Sequence, residues 1–109
     1  MKDKMYMERI ISYCNKIAKY VDGVSTIEAF EKNDEKVEAV LLNLEQIGET
    51  AKKLSDDFKN KTTTLEWNKI IGLRNLISHE YEGVDLTLIY NIARINIPDF
   101  LNKLTQIKI

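Results

Sequence analysis

The chain has one cysteine, one proline, one histidine and four glycines in 109 residues. A lone cysteine excludes an internal disulfide and fits a reducing compartment. A lone histidine and a lone cysteine exclude the usual zinc motifs, which need at least two such ligands close in sequence. There is no GxxxxGK[ST] phosphate loop either. No apolar run approaches the roughly 20 residues that span a bilayer. The opening stretch MKDKMYMERIISYCNKIAKY is charged throughout and does not read as a signal peptide. The expected location is the cytoplasm, with no membrane association. Charge of one sign is also lacking. Residues 1–54 hold 9 Lys/Arg and 10 Asp/Glu, and residues 55–109 hold 7 of each. Nucleic acid could then be bound only by a local patch or by a cleft assembled between subunits.

Helical periodicity fills the chain, and no alternating strand pattern interrupts it. Met7, Ile10, Ile11, Cys14, Ile17, Ala18 and Val21 form an apolar stripe on a first helix over about residues 5–21, ended by Gly23. Ser25 or Thr26 can cap a short helical piece that ends near Lys32. Asn33 or Asp34 can cap a second long helix, striped by Val37, Val40, Leu41, Leu44, Ile47, Ala51 and Leu54. Gly48 inside that helix costs about 1 kcal/mol against Ala, which a close helix–helix approach would justify. The polar stretch SDDFKNKTTT reads as a connection. A third helix spans about Thr64 to Glu82, with Gly83 as its cap residue. Asp85 caps a fourth, which Pro98 breaks, kinks or restarts. The fold class is all-α: one domain over residues 1–109, an antiparallel bundle of four to five helices.

The third helix carries the chemistry. RNLISHEY, residues 74–81, places the single His between an Arg and a Tyr. At about 100° per residue from Arg74, Leu76, Leu73, Ile77 and Ile70 fall at about 200°, 260°, 300° and 320°, the arc expected to face the core. Tyr81, Arg74, Ser78, Asn75 and His79 fall between about 340° and 140°. Ile71 and Gly72 interrupt that polar arc and suggest a surface that another body can approach. Arg74 offers a planar fork that suits phosphate and the extra charge of a phosphoryl transition state. His79 exchanges a proton near neutral pH and could take one from a 2′-hydroxyl or give one to a leaving oxygen. The same residues also fit plainer roles, as a helix-end His, a solvated Arg and an aromatic at the edge of the core. Cys14 reads as a buried hydrophobe. Trp67 reads as the core anchor of the third helix, and Glu49 with Lys53 as a solvated pair, with a place for Glu49 at a cleft between subunits as the alternative. Lys52, Lys53, Lys59, Lys61 and Lys69 are surface lysines that could steer RNA.

The Arg, four residues, His, any residue, Tyr pattern of RNLISHEY resembles the motif of HEPN-domain proteins, in particular HepT-like toxins. NLEQIGETAKKLS (43–55) resembles that family's second-helix signature, and EWNKIIGLRNLISHEYEGVDLTLIYNI (66–92) resembles its core. The resemblance extends over nearly the whole chain. The departures, Thr50 after the Gly-Glu pair and no Pro before Trp67, bear on packing. The resemblance implies a HEPN-like bundle that forms a homodimer and cuts RNA without a metal or other cofactor. Arg74 and His79 would be the catalytic pair, with Asn75 and Ser78 as supporting or RNA-binding residues. The implied partner is a minimal nucleotidyltransferase antitoxin that silences the toxin by adenylylating Tyr81. Two other readings stay open. One is a non-catalytic, nucleotide- or partner-binding subunit of a two-component nucleotidyltransferase. The other is a plain helical dimerisation module.

Overall fold

The computed structural model describes residues 2–77 and 84–107. Its elements are α1 (Lys2–Val21), α2 (Ile27–Glu31), α3 (Asp34–Lys52), α4 (Asp56–Lys61), α5 (Trp67–Ile77), α6 (Leu86–Asn91), a π-helical turn (Ile92–Asn96) and α7 (Ile97–Thr105). The described residues contain no strand. The fold is all-α, as the periodicity requires. Four long rods dominate: α1, α3, α5 and the continuous run from α6 through the π turn into α7.

Side-chain caps set most of the helix starts. Thr26 Oγ1 accepts from the Ala29 amide at 3.1 Å, and Asn33 Oδ1 accepts from Lys36 at 3.1 Å. Asp85 Oδ1 accepts from Leu88 at 3.2 Å. Each satisfies one of the amides that a helix start leaves without a partner. Gly23 follows α1 with φ of +81°, a conformation that L side chains rarely adopt. The turn after it is clamped from the far end of the chain. Tyr90 Oη donates to the Val24 carbonyl at 2.6 Å, and Arg94 Nη1 donates to the Val21 carbonyl at 3.2 Å.

One expectation needs correction. The stretch SDDFKNKTTT is not a plain connection, because Ser55 caps α4 through a 3.1 Å bond from the Phe58 amide. Of the readings of Pro98, the fresh start is the one observed. Pro98 sits in the first turn of α7, directly after the π turn. Proline has no N–H to give to a carbonyl four residues back, and the widened turn just before it absorbs the mismatch.

The core is one cluster to which every long rod contributes. Phe30, Ile10, Ile17, Leu44, Ile47 and Ile89 are among its fully buried side chains. Each removes enough apolar surface from water to contribute about 1.5–3 kcal/mol. α3 lies between α1 and α5 and packs on both, while α1 also packs on α7. Trp67 anchors the start of α5, as expected. Its ring meets Phe100 edge-on at 5.7 Å between centroids, and its Nε1 donates to Thr62 Oγ1 at 2.9 Å.

Candidate functional site

α5 does not present the face that its sequence suggests. Leu73 and Ile77 are buried, but Leu76, expected on the core arc, is 48% exposed. Ile70 and Ile71 both pack half-buried against the core, and Trp67, at about 20° on the same wheel, is buried. The buried arc is therefore rotated toward Arg74. The cause is α3. A Cβ built on Gly48 would lie 3.2 Å from the Arg74 amide nitrogen, 3.2 Å from the Ile70 carbonyl oxygen and 3.3 Å from that of Ile71. A side chain there would press on the α5 backbone, which would have to give by a few tenths of an ångström, and the contact falls at Arg74 itself. The close approach expected from Gly48 is thus present.

Arg74 sits at the edge of this contact, with its side chain 43% exposed. Its Nε forms an ion pair with Glu49 Oε1, on the residue after Gly48. Oε1 is buried and has no aligned hydrogen bond among the described residues, so charge attraction holds the contact. The pairing of Glu49 with Lys53 is not found. Lys53 Nζ instead lies 6.0 Å from the centre of the Tyr6 ring. The i, i+4 spacing suggested a local pair, and a tertiary partner on α5 won the carboxylate.

Asn75 is exposed beside Arg74. His79, Ser78 and Tyr81, together with the expected cap Gly83, lie outside the described residues. Of the five expected site residues, the structure describes Arg74 and Asn75. It brings Glu49 to Arg74, where the spacing rule favoured Lys53 as its partner.

Three of the lysines considered for steering RNA are paired on their own surface: Lys59 with Asp56, Lys61 with Asp57 and Lys69 with Glu66. Cys14 is fully buried, and burial pushes its thiol up to about 12, which makes it a poor nucleophile. Among the described residues, no three His, Cys, Asp or Glu side chains come together as a metal-holding group. No helix there is long and apolar enough to cross a membrane. A groove of about 490 Å³ runs between α5 and the last rod, lined in part by Gly72, Leu76, Leu88 and Ile92. It lies on the side of α5 roughly opposite Arg74 on the helical wheel.

The family model described as ribonuclease HepT-like matches residues 10–107. The chain belongs to the ribonuclease HepT-like family. The match takes in the Gly48–Glu49 pair, Arg74 and the rest of RNLISHEY. Relatives extend over similar lengths. The protein named "Putative RNase TTE0752" of Caldanaerobacter subterraneus subsp. tengcongensis is 32% identical over 94% of this HepT-like chain and 90% of its own. The one named "Putative RNase MJ1380" of Methanocaldococcus jannaschii is 30% identical over 87% and 86%. The "Probable ribonuclease HepT" of Thermococcus cleftensis is 30% identical over 64% of each chain. No solved structure matches this HepT-like chain at a significant level.

Proposed function

We propose that the protein is a metal-independent endoribonuclease toxin of a toxin–antitoxin pair, active as a homodimer and inhibited by adenylylation of Tyr81. The observation that carries the reading is Arg74. It lies inside a span shared with a ribonuclease family, where α3 packs closely on α5 at Gly48, with its side chain still partly open to solvent.

In this reading the 2′-hydroxyl of the RNA attacks the adjacent phosphorus while the bond to the 5′-oxygen breaks. His79 handles the protons: it takes one from the attacking hydroxyl or supplies one to the leaving oxygen. Arg74 neutralises the charge that builds on the non-bridging oxygens. Asn75 and Ser78 support the bound strand. A second copy brings another Arg74 into the same cleft, which offsets the near-neutral charge of the single chain. Leu42 supports such pairing. It precedes Glu49 by two helical turns, lies on the same face of α3 and is 52% exposed. AMP on Tyr81, transferred by a minimal nucleotidyltransferase antitoxin, would add bulk and negative charge beside Arg74 and His79 and so repel RNA phosphate.

The test is incubation with RNA in excess chelator. The wild type should cut, and His79→Ala should not. Silence from the wild type would favour the non-catalytic subunit of a two-component nucleotidyltransferase. Adenylylation is checked by mass spectrometry after incubation with the antitoxin and ATP. One AMP increment per chain is expected, and none on Tyr81→Phe.

A further inference from the structure

The ion pair between Glu49 and Arg74 joins two helices through one nitrogen of a group that has three. A guanidinium carries five N–H donors, one on Nε and four on the terminal nitrogens. Glu49 meets that of Arg74 at Nε, as an ion pair through Oε1. The edge formed by the two terminal nitrogens is the one that binds a phosphate with two parallel bonds. An arginine side chain held only at Cα loses rotamer entropy when it binds. Here the backbone is fixed by the contact at Gly48, and the far end of the side chain is fixed at Nε.

We propose that Glu49 is a positioning residue for phosphodiester cleavage: it holds Arg74 through Nε with the terminal fork turned outward to receive the scissile phosphate. This rests on the ribonuclease reading above. The opposite role is physically clear and opposite in sign. A carboxylate that occupied the phosphate-binding edge would compete with RNA, and its removal would speed cleavage. Contact at Nε, with the Arg74 side chain partly open to solvent, favours positioning. Gly48 belongs to the same device, because a side chain there would push α5, and Arg74 with it, away from Glu49.

The experiment compares wild type, Glu49→Gln and Glu49→Leu, each alone and in an Arg74→Ala background, with thermal melts to confirm folding. Positioning predicts that Glu49→Leu lowers kcat by about 100-fold, the usual scale for misplacing a catalytic group, with little change in KM. Glu49→Gln should recover part of the loss, because its amide oxygen still accepts from Nε. In the Arg74→Ala background neither substitution should cost anything further, since coupled residues are not additive. Cleavage by Glu49→Leu as fast as wild type or faster would overturn the proposal. So would an equal extra loss in the Arg74→Ala background. An inactive wild type would sink the ribonuclease reading and the role in cleavage with it. Nitrogen-15 NMR of the arginine side chains then decides whether Glu49 holds Arg74 at all. Positioning predicts an Arg74 Nε–H resonance protected from exchange in the wild type and lost in Glu49→Leu. Rapid exchange of that proton in the wild type would overturn it.

Discussion

Gly48 and Gly72 lie in adjacent helices, and a methyl group would meet opposite surroundings at the two. At Gly48 a Cβ meets three backbone atoms within 3.3 Å, while at Gly72 nothing lies within 4 Å. Gly48→Ala gains about 1 kcal/mol of helix propensity but forces α3 and α5 apart, so a net loss of about 1–3 kcal/mol is expected. Gly72→Ala should raise stability by up to about 1 kcal/mol. Urea unfolding of both variants checks the pair, and a destabilised Gly72→Ala would show that a neighbour covers that surface. Cys14 supplies a pH signature. Burial raises its thiol from an ordinary value of 9.0 to about 12. A raised folded value means that the stabilising contribution is complete below about pH 9 and fades as pH climbs toward 12. The slope is about 1.4 kcal/mol per pH unit for one proton. Alkaline unfolding should be less steep in Cys14→Ala, and identical slopes would contradict the burial of the thiol. Gly48 and Cys14 were legible in the sequence because each reports on its own helix stripe. The partner of Glu49 was not. Two helices compete for that carboxylate, and local spacing registers only one of them.

Element boundaries were legible where a capping side chain preceded an apolar stripe, as at Thr26, Asn33 and Asp85. α4 was missed because DDFKNK has no stripe and none of its residues is buried. Its start is secured from outside. Asp3 of α1 accepts from the Ser55 amide at 2.8 Å and from the Ser55 hydroxyl at 2.7 Å. Those two bonds hold the Asp3 carboxyl below its ordinary value of 3.8. A lowered folded value means that the contribution is fully present above that ordinary value and disappears as pH falls through the depressed one. Asp3→Ala should cost about 1 kcal/mol near pH 7, at the low end for charged hydrogen bonds because the site faces solvent. The gap from wild type should narrow as pH falls below 3.8, and a gap that does not narrow would place its origin elsewhere. The facing of α5 was the least legible feature. A helical wheel averages over apolar residues, whereas the real arc was set by where Gly48 lets α3 dock.

At the scale of the molecule, the all-α class followed from the missing strand pattern and the repeated 3-and-4 spacing. The near-zero charge, read alone, argues against a nucleic-acid partner. The family match over residues 10–107 shows why that reading is too coarse. In the proposed dimer, two copies of Arg74 in one cleft would supply the local positive charge that the single chain lacks. The most direct measurement is end-group analysis of RNA cut in excess chelator by wild type, Arg74→Ala and His79→Ala. The expected result is products ending in 2′,3′-cyclic phosphate and 5′-hydroxyl from the wild type, with the rate down at least about 100-fold in either variant. Products ending in 3′-hydroxyl and 5′-phosphate, or cleavage unaffected by both substitutions, would contradict the proposed chemistry.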